Sequence, residues 1–238
     1  MATTTAPRPA ADAIGDYLVS ARTLEEYLAM LALSPADLTG CRVLDCPGGA
    51  SSFTAEACAL GADAVAADPA YAMAPGDLAV RALDDARRSS DYVSAHADRY
   101  EWGLFGTPEA HFAARVAAVG RFAWDVRSHP GRYVPASLPE LPFADEEFDV
   151  VLSSHLLFAY GDRLDGAFHR DALRELLRVC RPGGSVRLYP LLEYAGAALD
   201  GLPALVRELG GDGVDATLVP VSYRFLRGAD TALVLRKR

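Results

Sequence analysis

A chain of 238 residues with 51% hydrophobic and 23% charged side chains has globular proportions, which excludes disordered, fibrous and collagen-like classes. At 25.3 kDa, folding can bury about 72% of the unfolded surface, so stability needs neither disulfides nor a metal. The 32 acidic residues outnumber 23 basic ones for a formal charge of -9, and no block of Lys or Arg offers a surface to polyphosphate. Nucleic acid is therefore disfavoured as a bulk partner, a small tRNA-binding patch being left open.

Cys41, Cys46, Cys58 and Cys180 lack the paired spacing of a zinc site and the density of a secreted scaffold, and are expected to be reduced, cytoplasmic and mostly buried. The opening MATTTAPRPAADA has no apolar leader segment, and no apolar run reaches the length of a membrane span. Residues 1–12 are expected as a frayed tail and 13–40 as a helical cap. Within that cap Ile14, Tyr17, Leu18 and Ala21 recur at helical spacing, Thr23-Leu-Glu-Glu26 is a capping box opening a second helix through Leu31, and Ser34-Pro35 opens a short turn.

The core follows. Cys41 to Cys46 predicts a strand that runs into Pro47-Gly48-Gly49, then a helix over about Ser51 to Leu60 and a second strand, Ala64 to Ala67. From 72 to 130 the pattern is helical, with Phe112, Val116, Val119, Ala123 and Val126 as the apolar stripe and His111, Arg115, Arg121 and Asp125 off it. A crossover needs only a dozen or so residues. Nearly sixty here predict a helical insertion, with Trp102 and Trp124, that could serve as a lid. Strands are predicted again at Tyr133-Val134, Phe148 to Ser153 and Ser185 to Tyr189, with a helix from Leu164 to Cys180 ended by Arg181-Pro-Gly-Gly184. A further helix ending at Gly210-Gly211 precedes Ala216 to Val221 and Thr231 to Leu235, whose short connection predicts an antiparallel hairpin at the sheet edge. The whole is one domain, with core segments 41–71 and 131–238.

In a doubly wound sheet the ligand lies beyond the carboxyl ends of the strands. The first turn, V43-L-D-C-P-G-G-A-S-S-F53, has a glycine pair that lets backbone approach a ligand, and a helix N-terminus that favours a negative group. It does not reproduce the G-x-G-x-x-G spacing of a dinucleotide enzyme. Asp68 closes the second strand, where a carboxylate can accept from both hydroxyls of a ribose. Leu141-Pro-Phe-Ala-Asp-Glu-Glu-Phe-Asp149 precedes the fourth strand and Arg178-Val-Cys-Arg-Pro-Gly-Gly184 the fifth.

From Val43 to Leu191 this arrangement resembles the class I S-adenosylmethionine-dependent methyltransferases. The resemblance implies an α/β, Rossmann-like seven-stranded sheet, mostly parallel with an antiparallel C-terminal hairpin and helices on both faces. It implies S-adenosyl-L-methionine as cofactor, with no metal, and a small-molecule acceptor methylated on O, N or C. Asp45, Cys46, Gly48 and Gly49 would face the methionyl part, Asp68 and Pro69 the ribose, Ser137 and Leu138 the adenine, and Ser153 the meeting point of cofactor and acceptor. In the cap, Tyr17 would cover the cofactor and Arg22 pair with its carboxylate. Tyr100, Trp102 and Tyr160 are the candidate acceptor contacts. Pro47 and Ser51 stand where the family usually has glycine, and Ser137 where an acid is common, which puts loop geometry and cofactor affinity in question.

In-line methyl transfer gains much from alignment and exclusion of water, and needs a base only when the acceptor must lose a proton. His155 is the best placed of the five histidines for that, ahead of Tyr160 and His169. Other classes remain open: a non-catalytic cofactor-binding or scaffold protein, or an S-adenosylmethionine enzyme of non-methyl chemistry.

Overall fold

The structure is a computed structural model that describes residues 16–161, 163–193, 204, 206–208 and 213–238. Its elements in order are α1 (Leu24–Met30), β1 (Arg42–Asp45), α2 (Phe53–Ala59), β2 (Asp63–Ala67), α3 (Pro75–Ala95) and α4 (Pro108–Ser128). β3 (Tyr133–Val134), β4 (Phe148–Ser154), α5 (Gly166–Val179), β5 (Cys180–Tyr189), β6 (Val214–Pro220) and β7 (Thr231–Lys237) follow. The strands form one sheet of order β3-β2-β1-β4-β5-β7-β6. β1 to β5 run parallel, and β7 pairs antiparallel with both β5 and β6. This is the Rossmann-like seven-stranded sheet with the expected C-terminal hairpin.

Strand alternation separates the two faces. Leu44, Val65, Val151, Val186 and Leu233 point to one core with Leu173 and Leu176 of α5. Val43, Ala64, Val150, Leu152 and Ala232 point to the other, with Tyr27 and Met30 of α1 and Phe53 of α2. The order reverses at β1, which pairs with β2 on one side and β4 on the other. The crevice at their carboxyl ends is where such a sheet binds its ligand.

Caps set several helix starts. Thr23 and Glu26 form the expected capping box, Thr107 accepts from the Ala110 amide before Pro108 opens α4, and Asp165 accepts from the Phe168 amide at α5. The insertion is helical as expected, with α3 and α4 as its two long members.

Four expectations need correction. Residues 16–23 are not a helix but an extended strap, because tertiary partners claim its polar groups: the Leu18 amide donates to the Tyr160 hydroxyl (3.1 Å), the Val19 amide to Asp85 (2.9 Å), and the Ser20 carbonyl accepts from the Ala50 amide (2.9 Å). On α4 the buried face carries His111, Arg115, Ala118, Phe122 and Asp125, while Val116 is exposed. The polar members are paired, Arg115 with Glu26 and Asp125 with Arg132, His129 and the Tyr133 hydroxyl, and pairing is what lets charge go inside. Third, Arg181-Pro-Gly-Gly184 belongs to β5, which starts at Cys180 against Phe148 and shifts register before Val150. Fourth, β6 begins at Val214 rather than Ala216; the expected helix end at Gly210-Gly211 lies outside the described residues.

Candidate active site

A cavity of about 470 Å³ opens at the carboxyl ends of β1, β2 and β4. Its wall includes Tyr17, Cys46, Pro47, Gly49, Asp68, Pro69, Ser137, Leu138, Ser154, His155 and Tyr160. A second, smaller cavity of about 40 Å³ lies beside it and is lined by Arg22, Tyr100, His111, Arg115, Tyr189, Tyr223 and Phe225. Leu18, Ser20 and His155 line both. The strap and the end of β4 thus form the partition between two chambers.

Asp68 is held by its neighbours: one carboxylate oxygen accepts from the Gly49 amide and the other from the Ala70 amide, each at 2.9 Å. Burial pushes its carboxyl up from the usual range, and those two amides pull it back. A carboxylate has about four acceptor positions, so two remain for a ligand. Gly48 and Gly49 serve the protein as much as a ligand. A Cβ on Gly48 would stand 2.5 Å from the Tyr71 hydroxyl, and one on Gly49, whose φ is +53°, 2.5 Å from the Ser20 carbonyl. The loop's amides are also taken: Gly48 by Ala67, Gly49 by Asp68, Ala50 by Ser20, Ser52 by Arg22 and Phe53 by the Ser51 hydroxyl. The expected anion site at the start of α2 is therefore covered by the strap.

His155 follows β4 with a left-handed φ of +56°, its amide donating to the Tyr189 carbonyl at 2.8 Å and its ring 5.6 Å from that of Tyr189. Burial pushes its imidazole well below the usual value, and Arg22 and Arg115 push the same way, so the ring is neutral at neutral pH. At the mouth, the rings of Tyr17 and Tyr160 meet at 4.7 Å under the Arg163 guanidinium.

Residues 112–188 match the family model described as a methyltransferase domain. Over 227 residues the chain is 26% identical to an uncharacterised protein of Methanocaldococcus jannaschii, covering 93% of this chain and 97% of that one. Among solved structures it is similar to the magnesium protoporphyrin IX methyltransferase of Synechocystis with bound S-adenosylmethionine (11% identity, TM-score 0.48, 90% of this chain and 78% of that one). It is also similar to the 16S rRNA N2 G1207 methyltransferase of T. thermophilus (14% identity, TM-score 0.46, 99% of this chain and 45% of that one). The match to the family model spans 77 of the chain's 238 residues.

The large chamber offers open acceptor positions on Asp68 and apolar surface from Pro69, Ala136 and Leu138. Not every expected site residue stands on its wall. Gly48 lies beneath it, against Tyr71. Asp45 is buried and accepts from the Tyr27 hydroxyl at 2.9 and 3.1 Å, and burial pushes its carboxyl well up. Ser153 is buried, with a hydroxyl that has no partner among the described residues. Arg22 lines the small chamber, and the arginine on the large one, among the described residues, is Arg81. Of the three expected acceptor contacts, Tyr160 lines the large chamber and Tyr100 the small one, while Trp102 packs edge-on against Phe225 and His111 outside both linings. Both ring nitrogens of His169 face backbone carbonyls, of Asp165 and Leu157, which gives it a structural role.

Sequence reasoning missed the walls that come from distant segments. Asp85 of α3 sits among Arg81 and Arg88, a spacing that reads as solvated ion pairs, yet it is buried and holds the strap. His111, Arg115, Tyr223 and Phe225 carried no chemical motif; the aromatic run at 223–225 was the available signal. Among the described residues no His, Cys, Asp and Glu group could hold a metal, all four cysteines are free, and no helix is long and apolar enough to cross a membrane.

Proposed function

We propose that the protein is a class I S-adenosylmethionine-dependent methyltransferase acting on a small organic acceptor, with the donor in the large chamber and the acceptor in the small one. The observation that carries the reading is His155 on the wall of both chambers. A second chamber of about 40 Å³, enclosed by the strap, the insertion and the connection between β6 and β7, suits one ring or a small polar group better than a polymer. The net charge of -9 points the same way.

Asp68 would hold the ribose hydroxyls, Ser137 and Leu138 the adenine, and Tyr17 would close the mouth over the cofactor. When bound, the cofactor supplies an electrophilic methyl group on a sulfonium sulfur. The chain's own work is alignment, exclusion of water and proton handling. His155 would take the proton that the acceptor loses as the methyl carbon is transferred to it, the carbon–sulfur bond breaking and its electron pair staying on the sulfur of S-adenosylhomocysteine. A neutral, strongly buried imidazole is a weak base, so acidic acceptors such as phenols suit it better than alcohols.

The test is product mass. Incubation with S-adenosylmethionine and a panel of small phenols, amines and heteroaromatic compounds should yield one methylated product. His155→Asn, whose side chain tolerates a left-handed φ, should lower its rate by about 10² to 10⁴ while S-adenosylhomocysteine binding is kept. Turnover of RNA or protein substrates alone would overturn the small-molecule reading.

A further inference from the structure

Two things about the small chamber are not used by methyl transfer itself: a histidine from the insertion on its wall, and the arginine bound to that histidine. His111 is buried and stacks on Phe225, ring centroids 4.8 Å apart at 16°. The Nε of Arg115 donates to its Nε2 at 3.2 Å. A guanidinium N–H can only donate, so Nε2 is the acceptor and carries no proton. Burial, with Arg115 beside it, pushes the imidazole down to about 3, so the ring is neutral and its one proton sits on Nδ1. That Nδ1 is buried and has no hydrogen-bond partner among the described residues.

Arg115 is itself fixed. Its two Nη atoms reach the carboxylate of Glu26, one at 2.8 Å, and Nη1 also donates to the Ala21 carbonyl. The Tyr223 hydroxyl donates to the same carboxylate at 2.9 Å. The tautomer of His111 is thus set by a network anchored in α1, α4 and the connection between β6 and β7. A buried donor left without a partner costs about 1 to 3 kcal/mol, and the chamber is where a partner can arrive. Tyr100, Tyr189 and Phe225 supply flat apolar walls there.

We infer that His111 is a specificity-determining residue: its Nδ1–H donates to a lone pair on a planar acceptor, a phenolic or carbonyl oxygen or a ring nitrogen, while the acceptor's reacting atom faces His155. This rests on the two-chamber reading above and narrows it to flat acceptors with a hydrogen-bond-accepting atom. Rings with no such atom are rejected because they leave the Nδ1–H unpaired.

The test uses the full chain labelled with ¹⁵N in histidine, saturated with S-adenosylhomocysteine, and phenol and 2-pyridone as probes, with toluene as the flat control. Binding of S-adenosylhomocysteine is measured first, so that a failure of the methyltransferase reading is told apart from a failure of this inference. With that ligand bound, long-range ¹H–¹⁵N spectra should show His111 protonated on Nδ1. Phenol or 2-pyridone should shift that nitrogen, and toluene should not. His111→Phe keeps the stack on Phe225 and should weaken the responding probe about threefold to tenfold without changing S-adenosylhomocysteine affinity. His111→Asn, which restores a donor near the same position, should recover part of the loss. A proton on Nε2, or equal probe affinity in wild type and His111→Phe, would overturn the inference.

Discussion

Glu26 opens as a helix cap and ends as the hub of the molecule. Its carboxylate accepts from the backbone of Thr23, from both Nη atoms of Arg115 and from the Tyr223 hydroxyl, joining α1, the insertion and the connection between β6 and β7. Burial works against its charge, but Arg115 outweighs it and holds the carboxyl below the usual range. Removing one partner of a buried pair strands the other at about 3 to 5 kcal/mol. Arg115→Met should therefore lower unfolding free energy by about that much in urea titration, and a loss near zero would show that the pair is not buried. His111 gives a pH signature. Above about pH 6.5 its ring is neutral in both folded and unfolded chains. As pH falls toward 3, the unfolded chain takes up a proton that the folded one refuses, so stability is lost, by up to about 1.4 kcal/mol per pH unit. His155 shares the sign but is present in wild type and variant alike. The stability difference between wild type and His111→Phe should shift against wild type by about 2 kcal/mol from pH 7.5 to 5; a pH-independent difference contradicts the burial of that ring. The Thr23-Glu26 box was legible from spacing alone. The partners Arg115 and Tyr223 were not, since they lie 89 and 197 residues away and no local rule links them.

At the scale of elements, the strap over the glycine turn is what the sequence concealed. Tyr17, Leu18 and Ala21 satisfy helical spacing, yet the tie of Val19 to Asp85 and of Ser20 to Ala50 holds the segment extended. Period alone cannot show this, because the competing partners belong to α3 and to the turn after β1. The same blindness put His111, Arg115 and Asp125 on the outer side of α4, where an unpaired polar residue belongs. Two predictions follow from the strap. Asp85→Ala removes the acceptor of the Val19 amide, and residues 17–21 should then exchange amide hydrogen faster and S-adenosylhomocysteine should bind more weakly; unchanged exchange would show that Asp85 does not hold the strap. Gly49→Ala puts a Cβ on the Ser20 carbonyl in a left-handed turn and should cost about 2 kcal/mol or more, a fall in Tm of about 4 to 8 °C. A Tm within a degree of wild type would mean that strap and turn do not meet.

Across the whole molecule, the sheet was the legible part. Buried parallel strands read as continuous apolar runs such as FDVVLS, and a ten-residue connection between the last two strands is too short for a helical crossover and gives a hairpin. Strand order then fixes the crevice, and Asp68 marks it, since an acid closing the second strand stands at the switch point whatever surrounds it. The small chamber was illegible for the opposite reason: it is assembled from the strap, both insertion helices and residues 221–226, joined only by tertiary packing. The most direct measurement is a thermal-shift titration of the intact protein with S-adenosylmethionine and S-adenosylhomocysteine, run beside Asp68→Ala. At about 100 times the dissociation constant, binding adds about 2.7 kcal/mol, which at this size raises the midpoint by about 5 to 10 °C. That rise is expected in wild type and its loss in Asp68→Ala. A wild-type midpoint that neither ligand moves would contradict the assignment of the large chamber to this cofactor.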